Sequence, residues 1–327
     1  MYRKIKEIIK DLLLQIPQFR LKWLQKALPF YRILVGDKIR TSAYRKAIQN
    51  LKLRNKTALD AGCGLGIISF FLAKAGAKKI YAVEKTPIID LAMQTAKKNQ
   101  FTKSIEFIKA DLLNVKLPSK VDVIIHELIG YFCFDENIIE IINTLRNRWL
   151  NKNGVIIPCS VEWLFVPVDL EKDTNYSYTP PNFWINNPYQ IDFNKLKIFD
   201  RFRSLSIIVT NKKTFLSEPK SIIKIDFYGS LKIPLNMDVV FNINKTGKIS
   251  GFLGFYRIKL DEKNNIDTSH SDNITCWKQS FFPVHKFISV KSNDVIKYQI
   301  STHGKISPIH WSYNILLKRG QINFNFT

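Results

Sequence analysis

The sequence predicts an α/β domain built on a parallel sheet, followed by a mostly antiparallel β domain, barrel or sandwich, with a short helical segment ahead of both. Three observations predict this. Between residues 57 and 157 short apolar strands alternate with helices, and after Pro158 β-branched and aromatic runs are separated by turn residues. Before residue 30 the apolar positions recur at helical spacing. The expected organisation is a basic helical segment over 1–30, the α/β domain over 31–158 and the β domain over 159–327.

In the first segment Ile5, Ile8, Ile9, Leu12 and Leu13 form one helical face. Pro17 interrupts it, and a second helical piece is expected over about 19–28. With Arg3, Lys4, Lys6 and Lys10 on the remaining surface, the first helix packs on the protein body or lies on a membrane or nucleic acid. The stretch IRTSAYRKAI, ahead of the first strand, also reads as helix.

In the α/β domain the expected strands are Thr57 to Asp60, Lys79 to Val83, Ile105 to Ile108 and Val121 to Ile125. Helices are expected over about 66–75, 87–99 and 136–150, with Gly76 positioned to end the first. In the β domain the expected strands are Val161 to Val168, Ser221 to Phe227, Asp238 to Ile243, Gly251 to Leu260, Asp294 to Ile300 and Gln321 to Phe326.

Composition narrows the function. With 327 residues, 46% hydrophobic and 24% charged, the chain is neither disordered, collagenous nor a small disulfide scaffold. Its formal charge is +23, and residues 1–56 hold 15 Lys and Arg against three acids, a local +12. That asymmetry suits an acidic partner or nucleic acid, although a Lys-biased composition charges any surface. No run approaches a membrane span, and Cys63, Cys133, Cys159 and Cys276 lack metal or disulfide spacing. A cytoplasmic protein without a metal is expected.

The run Ala58-Leu59-Asp60-Ala61-Gly62-Cys63-Gly64-Leu65-Gly66 follows a strand and opens a helix. Its glycines let the backbone turn tightly and approach a ligand. The GxGxG spacing, with Glu84 ending the next strand to accept both ribose hydroxyls, fits S-adenosylmethionine better than a dinucleotide. Asp60 orients the turn, meets the ligand amine through water or caps backbone N–H groups. Arg40 is a candidate bidentate clamp for the methionine carboxylate or a solvated helix residue. Asp111 approaches the adenine or remains a loop carboxylate.

The fourth strand runs into His126-Glu127-Leu128-Ile129-Gly130-Tyr131-Phe132-Cys133-Phe134-Asp135-Glu136. The carboxyl ends of parallel strands are where such sheets place chemistry, so Glu127 and Glu136 are candidate catalytic groups. A hairpin-like loop through Gly130 brings both carboxylates to one cation. Guanidinium is cationic and its nitrogen lone pairs are delocalised, which makes it a poor nucleophile. Paired carboxylates hold its N–H groups, draw charge toward the bound side and aim one nitrogen at an electrophile. Tyr131 and Phe132 wall a substrate path or pack within the loop.

These pieces resemble the protein arginine methyltransferase family. LVGDKIRTSAYR, LDAGCGLG, YAVE, HELIGYFCFDE, ISGF, TCWKQ, LSEP and Phe183-Trp184 carry the resemblance from about 34 to 290. It implies a Rossmann-like class I methyltransferase domain, then an antiparallel β-barrel with a dimerisation arm at about 180–213. It also implies a head-to-tail homodimer and an arginine-containing protein or peptide substrate. Arg40 would match the arginine on the cofactor carboxylate, Glu84 the ribose ligand, Glu127 and Glu136 the guanidinium-gripping pair, and Trp277 the tryptophan beside the active site.

The sequence departs from the family in several places. Cys276 stands at the family's loop histidine, so a pair between that histidine and the acid matched by Asp37 is absent. His126 replaces a serine, Leu34 and Ile138 replace methionines, and Leu113 replaces an adenine-contacting glutamate. Methylation of a small molecule or another side chain on this scaffold, and a noncatalytic cofactor-binding scaffold, are the alternative functions. The sequence lacks the aromatic tetrad of nucleic-acid methyltransferases after the fourth strand.

Overall fold

Five short runs assemble into one sheet whose three central strands are buried along most of their length, as parallel strands between helices require. The computed structural model describes residues 12–172, 188–196, 206–208, 210–269, 274–317 and 324–326. They divide into two compact units, the first drawn from Met1–Glu127, Ile141–Cys159 and Leu260–Asn264. The second is drawn from Leu128–Glu140, Ser160–Lys259 and Asn265–Thr327.

The first unit opens with α1 (Pro17–Gly36) and α2 (Lys38–Gln49). Pro17 occupies the first turn of α1, where its missing N–H costs nothing. The helix expected to stop near residue 28 continues through Pro29 to Gly36. Proline forgoes one helical hydrogen bond, but the turns on either side carry the helix past it. Arg20 of α1 pairs with Asp90. The side chain of Asp37 caps α2 by accepting from the Arg40 N–H at 2.9 Å. The face expected over residues 2–14 lies largely outside the described residues.

The sheet contains β1 (Thr57–Ala61), β2 (Lys79–Val83), β3 (Ile105–Ile108), β4 (Val121–His126) and β5 (Leu150–Ile157) in the order β3-β2-β1-β4-β5. Every pairing is parallel. The order reverses between β1 and β4, so the carboxyl ends of these two strands flank the switch point where such sheets hold ligands. The intervening helices are α3 (Ile67–Lys74) and α4 (Ile89–Lys98). The helix expected from 136 begins at Ile138 as α5 (Ile138–Trp149), because Asn137 takes a left-handed φ of 59° and keeps Glu136 in the loop. Strand β5 was not among the expected strands. Its polar centre, Asn151 to Asn153, hides the apolar ends that pair with β4.

The second unit is an antiparallel β-barrel made of two sheets. One has the order β7-β12-β10-β6-β8, formed by β6 (Ser160–Val168), β7 (Ser206–Ile208), β8 (Lys220–Asp226), β10 (Gly247–Lys259) and β12 (Gln279–Val290), with β11 (Asn265–Asp267) on β10. The other has the order β15-β14-β13-β9, from β9 (Asn236–Asn242), β13 (Val295–Ser301), β14 (Ser312–Leu317) and β15 (Phe324–Phe326). Burial alternates residue by residue along β9 and β13, as expected for strands with one inward face.

Aromatic rings join the two sheets. Phe252 of β10 stacks on Tyr298 of β13 with centroids 3.9 Å apart, and Phe165 of β6 lies 5.8 Å from the same ring. Strand β12 was not expected, because Pro283 interrupts its apolar run. The proline sits opposite Gly251 beside a register shift, where its missing N–H does not break a regular ladder. Of the arm expected over 180–213, only 188–196, 206–208 and 210–213 fall within the described residues. Among the described residues no helix is long and apolar enough to cross a membrane.

Candidate active site

In the first unit the glycine turn follows β1 directly. Gly62, Gly64 and Gly66 have φ of 81°, 51° and 85°, which L-residues rarely adopt. A Cβ on Gly64 would lie 2.9 Å from the ring of Tyr31, and one on Gly66 would lie 3.0 Å from the ring of Phe70. The turn thus has no Cβ at its three glycine positions, and aromatic rings lie against two of them. Tyr31, on α1, is a site residue that sequence reasoning missed. Its only local signal is an aromatic three residues ahead of Leu34.

Asp60 is buried at the end of β1 and accepts from both the N–H and the hydroxyl of Ser69, at 2.9 and 2.6 Å. It therefore ties the first turns of α3 to the sheet. Burial, with the charge of Glu84 as a further contribution, pushes its carboxyl up to about 7 against the opposing Ser69 hydrogen bonds. Glu84 immediately follows β2 and is buried. Its Oε2 accepts from Gly64 N–H at 3.3 Å and its Oε1 from Thr86 N–H at 2.8 Å. Asp111 caps its own turn through Leu113 N–H at 2.9 Å and pairs with Lys85 at 3.7 Å.

Arg40 is buried in α2, and its guanidinium donates to the Glu127 carboxylate just beyond β4 and to the Leu34 carbonyl. His126, immediately before Glu127, is fully buried. Burial pulls its imidazole down to about 3 despite the Pro158 carbonyl, so it is neutral at ordinary pH. The Tyr44 hydroxyl donates to the His126 carbonyl at 3.0 Å and fixes this strand end to α2. The structure thus brings Arg40 and Glu127 together, and Glu84 together with the Gly62–Gly66 turn.

In the second unit Trp277 is buried and its indole N–H donates to the Ile129 carbonyl at 2.8 Å. The backbone carbonyl of Tyr131 accepts from the Tyr256 hydroxyl at 2.8 Å. Glu136 is exposed, in the turn that precedes α5. Trp277 and Tyr256 are thus both tied to the loop that carries Tyr131 and Glu136. Tyr256 was not anticipated, since it lies more than a hundred positions away on β10.

The donor set of the first unit fits S-adenosylmethionine. A turn with glycine at alternate positions admits close approach, a buried carboxylate follows the next strand and a buried arginine lies in the helix that precedes β1.

Comparison with known proteins bears on this geometry. Residues 52–194 match a methyltransferase domain, and residues 166–318 match the arginine methyltransferase oligomerization subdomain. Protein arginine N-methyltransferase 1 of Schizosaccharomyces pombe is 30% identical over 276 residues, covering 82% of this chain and 80% of its own. Protein arginine N-methyltransferase 1 of Chlamydomonas reinhardtii is 29% identical over 271 residues, covering 80% and 77%. A chain of the Trypanosoma brucei PRMT1 enzyme–prozyme heterotetrameric complex with AdoHcy superposes with a TM-score of 0.77 at 18% identity, covering 90% of this chain and 96% of that one. Arabidopsis thaliana protein arginine methyltransferase 10, described as uniquely open, gives 0.75 at 22% identity, covering 90% and 95%. The identity and coverage shared with the fission-yeast protein, together with the two matched domains, establish that this chain belongs to the protein arginine N-methyltransferase family.

Proposed function

We propose that this chain transfers a methyl group from S-adenosylmethionine to a guanidinium nitrogen of arginine in a protein or peptide. The observation that carries the reading is that the Glu127 carboxylate, at the carboxyl end of β4, already receives a guanidinium, that of Arg40. A carboxylate disposed toward N–H donors of that planar group suits an arginine substrate.

The cofactor supplies an electrophilic methyl on a sulfonium. Glu84 receives the ribose hydroxyls, the Gly62–Gly66 turn admits the adenosyl group, and Arg40 pairs with the aminocarboxylate. Asp60 holds the turn in place through Ser69. Asp111, already engaged at its own turn, approaches the adenine edge. Glu127 and Glu136 hold the substrate guanidinium and concentrate its charge away from the attacking nitrogen. The N–H proton released from that nitrogen passes to a carboxylate oxygen of the pair or to solvent, and the product remains cationic. Tyr131 and Trp277 shape the loop that presents Glu136. The match at 166–318 to an oligomerization subdomain supports a homodimer.

The test is incubation of the purified chain with methyl-labelled S-adenosylmethionine, an arginine peptide panel and cell lysate, followed by analysis of acid hydrolysates for methylarginines. Glu127→Gln and Glu136→Gln are expected to lose most transfer while retaining the cofactor. Label appearing only in small molecules, or unchanged rates in both variants, would refute the reading.

A further inference from the structure

The loop between Leu128 and Glu136 is held chiefly through its backbone. Cys133 N–H donates to the Tyr256 hydroxyl oxygen at 2.8 Å, while the single hydrogen of that hydroxyl is shared between the carbonyls of Tyr131 and Gly130 at 2.8 and 3.1 Å. One phenol therefore satisfies polar groups on three of four consecutive residues. Trp277 adds the bond to the Ile129 carbonyl, and Asp135 turns back to accept from Phe132 N–H at 3.1 Å.

Tyr256 is suited to this task. It is 1% exposed on β10, where its own N–H donates to Thr268 at 2.9 Å and its ring stacks on Trp163. Its phenol is pushed far up, first by burial and then by Cys133, Asp135 and Glu136, so it remains an O–H donor. Cys133 has φ of 66°, a conformation a non-glycine residue holds only when its surroundings fix it. Phe134, also buried, packs edge-on to Trp163 and Trp311, so the chain reaches Glu136 from two anchored residues.

We infer that Tyr256 is a positioning residue for the substrate arginine, its hydroxyl fixing the 130–133 backbone and through it the placement of the Glu136 carboxylate. This rests on the proposed role of Glu136. Deleting the hydroxyl leaves the ring packing intact but removes its bonds to the Tyr131 and Gly130 carbonyls and to Cys133 N–H, leaving the last two with their longer mutual bond of 3.3 Å, so the loop shifts to make good the loss.

The experiment compares the full chain with Tyr256→Phe and Tyr298→Phe. Tyr298 is an equally buried barrel tyrosine whose hydroxyl has no hydrogen-bond partner among the described residues, so it controls for the substitution itself. Calorimetric titration with AdoHcy counts cofactor-binding sites, and methylation of an arginine peptide is expressed per such site. Tyr256→Phe is expected to lower kcat per site at least fivefold with AdoHcy affinity within twofold, and Tyr298→Phe to change neither. A smaller fall in Tyr256→Phe, an equal fall in Tyr298→Phe, or loss of AdoHcy binding in Tyr256→Phe would overturn the inference. A wild-type chain that binds AdoHcy yet methylates no arginine peptide would instead overturn the proposed function, and this inference with it.

Discussion

The guanidinium of Arg40 is bound to the carboxylate of Glu127, 87 positions later in the chain, with both side chains largely withdrawn from water. Each group thus holds in the other a stand-in for its proposed ligand, the cofactor carboxylate for Arg40 and the substrate guanidinium for Glu127. A carboxylate arriving at Arg40 competes with Glu127 and releases it toward substrate. AdoHcy is therefore expected to tighten binding of an arginine peptide by roughly 5- to 150-fold, the span of typical site coupling. Methylthioadenosine, which has the nucleoside and sulfur but lacks the carboxylate, should leave the peptide affinity unchanged. Fluorescence anisotropy of a labelled peptide measures both, and equal effects of the two compounds would sink the competition.

Arg40→Lys keeps the charge but loses the planar fork that serves Glu127 and Leu34 together. Loss of a charge-assisted hydrogen bond of about 1.5–3 kcal/mol predicts S-adenosylmethionine affinity weakened roughly 13- to 160-fold. Isothermal titration reads this directly. Full affinity in the variant would remove Arg40 from the cofactor site.

Gly64→Ala places a Cβ at a φ of 51° and 2.9 Å from Tyr31. The left-handed conformation alone costs roughly 1–2 kcal/mol. Cofactor affinity should fall, and Tyr31→Ala in the same chain should restore part of it by removing the collision. If the double variant binds no better than Gly64→Ala, the ring is not what the Cβ meets.

Asp60 and His126 give opposite pH dependences. Asp60, ordinarily near 3.8, is held up to about 7, so its contribution to stability is full below pH 3.8 and lost as pH rises toward 7. His126, ordinarily near 6.5, is pulled down to about 3, so its contribution is full above pH 6.5 and lost as pH falls toward 3. Between pH 4.5 and 6 the two slopes oppose each other. Asp60→Asn should make stability rise more steeply with pH than in the wild-type chain, and His126→Gln should make it rise less or fall. Urea midpoints across that range supply the comparison; parallel curves for all three chains would contradict it.

The glycine turn and the first four parallel strands were readable from the sequence, because each short apolar run ends in a residue that turns the chain or carries charge. The glutamate loop was readable for a similar reason, being bounded by a strand and by an amphipathic helix. Strand β12 was hidden because Pro283 weighs against a strand locally, while its pairing with β10 is decided by residues some thirty positions away. Tyr256 and Tyr31 were hidden because little near them in the chain marks their roles. Their partners, the 130–133 backbone and Gly64, are set by tertiary packing. Arg40 and Glu127 were each named from the sequence, but their union was not, since a local pattern has no term for a bond spanning 87 positions.

Neither compact unit is one uninterrupted stretch. The first takes in residues 260–264, where Asp261 accepts from the Asn50 side chain at 3.1 Å, and the second takes in residues 128–140. A gene cut at codon 159 would leave the 128–140 stretch on one fragment and Tyr256 and Trp277, which tether it, on the other. During synthesis the ribosome must deliver residue 264 before the first unit has all its parts. Nascent chains stalled ahead of that codon should consequently resist protease less well than those released beyond it.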